Sequence, residues 1–78
     1  MATKLEVMSF IQKELNLKQI EDETTMGKVR GWDSLKHVEL ILSFANEFQV
    51  EIPPNRFGEL VSVAALTDFL REEDILED

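Results

Sequence analysis

The sequence contains no cysteine, a single histidine, only two prolines and three glycines, and half as many Lys and Arg as Asp and Glu. Without cysteine there is no disulfide framework, no thiolate metal site and no cysteine nucleophile. Any thiol chemistry must come from a group added to the chain. Eight basic residues against sixteen acidic ones leave a net charge of -8. Such a surface is poorly suited to double-stranded nucleic acid, whose phosphates are bound by Lys and Arg that displace counterions. An anionic membrane surface is disfavoured for the same reason. Basic patches on other proteins fit better, since opposite charge speeds their encounter, although acidity also serves plain solubility. No basic region followed by an apolar run marks a secretory signal, and no apolar stretch approaches the ~20 residues that cross a bilayer. A cytoplasmic protein is the default expectation.

Seventy-eight residues fit one small domain, 1–78. The 44% of hydrophobic residues suffices for one core, and the 31% of charged residues covers its surface. A chain this short buries only about 60% of its unfolded surface, so its margin of stability is thin.

Leu5, Met8, Ile11 and Leu15 recur at three- and four-residue steps, with Val7 and Phe10 widening the stripe. That spacing predicts a helix from about Lys4 to Leu15 with those residues inward. Thr3 and Glu6 have the spacing of a capping box. Residues 16–32 form a long connection in which Thr24, Thr25 and Gly27 argue against a continuous helix. Leu17, Ile20, Met26 and Val29 are expected to pin it to the core, with room for one short helical turn. The second helix runs from Asp33 or Ser34 to about Phe48, capped by Asp33. Its apolar arc is wide: Leu35, Val38, Ile41, Leu42, Ala45 and Phe48 follow helical spacing, and Leu40 and Phe44 add to them. An arc so wide belongs to a central helix or to one whose edge is used for binding.

Pro53-Pro54 stops the next extended piece. A short helix should follow to Leu60, with Phe57 and Leu60 inward. Ser62 caps a last helix, Val63 to about Arg71, whose core face is Val63, Leu66, Phe69 and Leu70. The acidic tail, 72–78, is expected to fray. No stretch alternates with a period of two. The expected fold is all-α: a small bundle of three main helices plus one short helix and a long first loop, four helices in total.

A catalytic role finds little support. His37 stands three residues from Ser34, but no carboxylate is placed to orient its ring, and a surface histidine is the expectation. Glu39 and His37 do not make a ligand set at helical spacing, so no metal site is expected. Gly27 and Gly31 follow no strand and do not form a phosphate loop. Ser34 differs by position. It opens a helix, where unpaired backbone N–H groups and the helix dipole favour a phosphate. Position alone leaves two readings open: a residue that helps cap the helix, or a modification site.

Gly31-Trp32-Asp33-Ser34-Leu35, followed by Val38-Glu39-Leu40, resembles the attachment motif of acyl carrier proteins. Val50-Glu51-Ile52-Pro53 resembles the family's segment after its second helix, and Phe57, Leu60 and Val63 match its core positions. The resemblance covers the whole chain. It implies that Ser34 receives a covalent 4'-phosphopantetheine arm from coenzyme A through a phosphopantetheinyl transferase. The arm supplies the missing thiol, and intermediates ride on it as thioesters to acyl-loading, elongating or acyl-transferring enzymes. The domain, expected to be a monomer, would itself catalyse nothing. The recognition surface implied by the family comprises Asp33, Leu35, Lys36, Val38, Glu39 and Leu42. Leu35 and Val38 fit equally well as exposed contacts or as core.

Two departures bear on the pathway. Lys36 and His37 follow Asp33-Ser34-Leu35 where many fatty-acid carriers have an acid, and Ser43, Ala45 and Asn46 stand in a stretch often rich in glutamate. Trp32 before the motif looks more like carriers of polyketide, peptide or other specialised pathways. Phe44, Phe48, Phe57 and Phe69 are bulky enough to fill the interior. Two other readings compete. A carrier-like module that is never modified would act by docking alone. An acidic mimic of nucleic acid would need a continuous acidic face, which Arg30 and Lys36 interrupt.

Overall fold

The computed structural model describes residues 1–77. Three α-helices, α1 (Lys4–Leu15), α2 (Ser34–Phe48) and α3 (Val63–Glu72), are accompanied by one 3-10 turn, Pro54–Arg56. The expected three main helices stand at the expected places. The fourth helix does not form as such. Pro53 and Pro54 start a turn, but Gly58 lets it lapse after three residues, so the described residues hold three helices and a turn rather than four helices.

Each helix begins on a side-chain cap. Thr3 and Glu6 form the reciprocal capping box. Asp33 accepts from the Lys36 N–H, and Ser62 Oγ accepts from the Ala65 N–H at 3.1 Å. Asn16 and Gln49 end α1 and α2 in the left-handed conformation (φ 55° and 56°).

The core lies where the three helices meet: Val7, Ile11 and Leu15 from α1, Leu40, Ile41 and Phe44 from α2, and Val63, Leu66, Phe69 and Leu70 from α3. Leu5 was expected inward but is 74% exposed. The stripe that α1 buries runs through Val7, Ile11 and Leu15 at four-residue steps, and Leu5 falls outside it. Phe10, Phe44 and Phe48 form a triangle of rings, Phe10 meeting the other two edge to face and Phe44 and Phe48 lying 4.8 Å apart between ring centres.

The long connection holds no helix among the described residues. It is stitched to the start of α3 instead. The Met26 N–H donates to Val61 O at 2.8 Å, the Val63 N–H to Thr24 O at 3.0 Å, and the Ala64 N–H to Asp22 O at 3.0 Å. Leu17, Ile20, Met26 and Val29 pack against the core as anticipated.

The tail expected to fray is held. The Ala2 N–H donates to Ile75 O at 2.9 Å and the Glu77 N–H to Ala2 O at 2.7 Å, while Leu76 is buried. Ile75 and Leu76 bring apolar surface that repays ordering the segment, against its acidic composition. Asp78, part of the same expectation, lies outside the described residues.

Candidate functional site

Ser34 is the first residue of α2 and is exposed. The cap beside it is Asp33, whose Oδ1 accepts the Lys36 N–H at 2.8 Å. Ser34 is therefore not the capping residue, and its hydroxyl makes no hydrogen bond among the described residues. A group joined to this oxygen would displace no internal interaction. It would also stand at the positive end of a 15-residue helix.

From Ser34 an apolar stripe runs outward along α2: Leu35 is 75% exposed, Val38 45% and Leu42 61%. Sequence spacing had left Leu35 and Val38 open to two readings; the fold exposes both. Periodicity alone did not separate the two faces of α2, because apolar residues occupy both. The inward face is His37, Leu40, Ile41 and Phe44. Asp33 and Glu39 are exposed beside the stripe, and Lys36 Nζ lies 3.3 Å from Glu39 Oε1. The structure thus brings Ser34, Leu35, Lys36, Val38, Glu39 and Leu42 onto the first three turns of one helix, with Asp33 as its N-cap.

His37 departs from expectation. It is buried, not on the surface. Trp32 Nε1–H donates to its Nδ1 at 3.0 Å. Indole nitrogen is a donor only, so Nδ1 must accept and the ring is neutral in this arrangement. The proton then sits on Nε2, which donates to Phe57 O at 2.9 Å. Trp32, also buried, is the largest fully enclosed side chain among the described residues. The signal was present in the sequence: His37 is in phase with Leu40, Ile41 and Phe44, at steps of three, four and seven.

The approach to Ser34 is fixed by backbone. The Gly27 N–H donates to Trp32 O at 2.8 Å. Gly31 has φ +98°, and a Cβ there would lie 3.2 Å from Leu15 O. Only glycine suits both the conformation and the close approach.

The geometry defines a small helical domain in which Ser34 stands exposed at a helix start, its hydroxyl without a hydrogen bond among the described residues. A family model described as a phosphopantetheine attachment site matches residues 6–70. The acyl carrier protein of Helicobacter pylori strain G27 is 30% identical over 77 residues, 96% of this chain and 99% of that protein. That of Trieres chinensis is 29% identical over 69 residues, 86% of each chain. The mitochondrial acyl carrier protein of Saccharomyces cerevisiae is 42% identical over 53 residues, 68% of this chain but only 42% of that longer protein.

The chain belongs to the acyl carrier protein family. It is a carrier without catalysis of its own, and its cofactor is a covalent 4'-phosphopantetheine, which supplies the thiol that the sequence lacks. No helix among the described residues is long and apolar enough to cross a membrane.

Proposed function

We propose that Ser34 carries the phosphopantetheine arm and that Asp33, Leu35, Lys36, Val38, Glu39 and Leu42 form the surface on which partner enzymes dock. One observation carries the reading: an exposed serine opens α2 with its hydroxyl unengaged among the described residues, and Asp33 beside it does the capping. Leu35, Val38 and Leu42 supply exposed apolar area that the fold itself does not use. Intact mass before and after incubation with coenzyme A and a phosphopantetheinyl transferase tests the assignment. One arm on the wild type and none on Ser34→Ala is the expected result. No addition with several transferases would favour an unmodified docking module.

The pathway is read as a specialised one, polyketide or related, rather than housekeeping fatty-acid synthesis. Lys36 pairs with Glu39 and offsets its charge on the docking face. Partners that read a strongly negative second helix should therefore bind this one weakly. Growth complementation of a strain lacking its housekeeping carrier discriminates; full complementation contradicts the specialised reading. A cytoplasmic location belongs to the same proposal, and a fluorescent fusion in the source cell tests it.

A further inference from the structure

The carrier reading uses Ser34 and the outward face of α2. It leaves unused a polar pair sealed inside the fold: Trp32 is 1% and His37 5% exposed. An apolar pair of similar shape would fill the space with no hydrogen bonds to satisfy. The placement of this pair gives it a use.

We propose that His37 is a positioning residue for the attachment site. It clips the loop that delivers Ser34 to the segment after the Pro54–Arg56 turn. The inference rests on Ser34 being the attachment residue and adds how that serine is held in place.

Trp32 lies two residues before Ser34 and His37 three after it, so the 3.0 Å indole–imidazole bond closes a short loop around the serine. On its other side the same ring reaches Phe57 O, twenty residues away. That segment is itself anchored to α3. Arg56 lies 3.5 Å from Glu72 and 5.3 Å from the Phe69 ring centre. The His37 ring thereby links α3 to the attachment loop through that segment, in addition to the backbone bonds that tie the connection to Val61, Val63 and Ala64. Ser34, whose hydroxyl makes no hydrogen bond among the described residues, depends on such neighbours for its setting.

Breaking the clip leaves Trp32 Nε1–H and Phe57 O without their partner. The loop then samples arrangements that a phosphopantetheinyl transferase does not accept. An enzyme that binds only the competent fraction sees its KM raised by the inverse of that fraction, while kcat from the bound complex is unchanged.

Steady-state transfer from coenzyme A to the apo protein tests this. His37→Leu removes both bonds. His37→Asn keeps an acceptor close to the Nδ1 position, for Trp32. His37→Gln keeps a donor close to the Nε2 position, for Phe57 O. KM should rise about tenfold in His37→Leu, the scale of one lost buried hydrogen bond, with kcat held. The two amide variants should each recover part of the loss. A purely structural histidine would lower the unfolding midpoint yet leave the KM of folded protein unmoved.

A folded His37→Leu with wild-type KM overturns the proposal, as do amide variants no better than leucine. Should His37→Leu not fold by circular dichroism, Trp32→Phe decides. It deletes the indole N–H and keeps an aromatic ring, and a folded variant with unchanged KM overturns the clip. No transfer to the wild type overturns the attachment reading and the clip together. Transfer to wild type and His37→Leu alike overturns the clip alone.

Discussion

Asp33 caps α2 by accepting the Lys36 N–H on Oδ1 at 2.8 Å, and this frees its neighbour Ser34 from any part in holding the helix. The two residues are adjacent, yet their substitutions should behave differently. Asp33→Ala should cost about 1 kcal/mol, the usual value of a lost N-cap, and Asp33→Asn should restore most of it. Ser34→Ala should change stability by less than about 0.5 kcal/mol while abolishing arm attachment. Urea denaturation of the apo proteins, set beside their intact masses after modification, separates the structural residue from the chemical one.

The glycines form a graded series. Gly31 has φ +98° and leaves only 3.2 Å between a built Cβ and Leu15 O, whereas Gly27 has φ +84° with open space around it. Gly58 has neither a positive φ nor a neighbour within 4 Å. Gly27→Ala should therefore cost about 1–2 kcal/mol for the left-handed backbone alone. Gly31→Ala should cost more, because the Leu15 carbonyl must also give way. Gly58→Ala should be neutral or stabilising by about 0.4–1 kcal/mol through the unfolded state. Thermal unfolding should place Gly31→Ala lowest, Gly27→Ala next and Gly58→Ala highest.

Most of the helical frame was legible because its signals are local. Thr3, Asp33 and Ser62 announce the three helix starts, and each caps its helix as expected. The failures are non-local. Leu5 reads as core on a four-point stripe, but which flank of that stripe meets α2 and α3 is settled only by packing. His37 reads as surface by residue type, yet two long-range partners make its burial tolerable. The end of the chain reads as frayed by charge, while the pairing that holds it involves Ala2, more than seventy residues earlier. Around Ser34, the motif and helix start were visible in the string. That Leu35, Val38 and Leu42 face outward was not, since α2 carries apolar residues on both faces.

Pairing between the chain's two ends has a measurable consequence. The amides of Ala2 and Glu77 each donate to a backbone carbonyl, and Leu76 is buried beside them. Both amides should exchange with solvent more slowly than those of an unpaired chain end, and Leu76→Asp should release them. That substitution should cost about 2–3 kcal/mol, from lost apolar burial and a carboxylate forced toward the core. Hydrogen exchange followed by NMR on both proteins checks it. Fast exchange at Ala2 in the wild type would contradict the pinned end.

The two faces of α2 should separate stability from partner binding. Phe44 is fully buried, and Phe44→Ala should cost about 3–5 kcal/mol, enough to unfold much of a domain this small. Leu42 is 61% exposed, two residues away. Leu42→Ala, Val38→Ala and Leu35→Ala should each leave the unfolding free energy within about 0.5 kcal/mol of wild type. If these three side chains are the docking contacts, each truncation should weaken the holo protein's binding to a partner enzyme by about 1 kcal/mol or more, with the modified serine intact. Lys36→Ala unmasks Glu39 by removing its 3.3 Å partner and should shift preference toward partners with basic docking patches. Titration calorimetry of the holo variants against one loading enzyme measures all four. Unchanged affinity in all of them would move the docking surface away from this face.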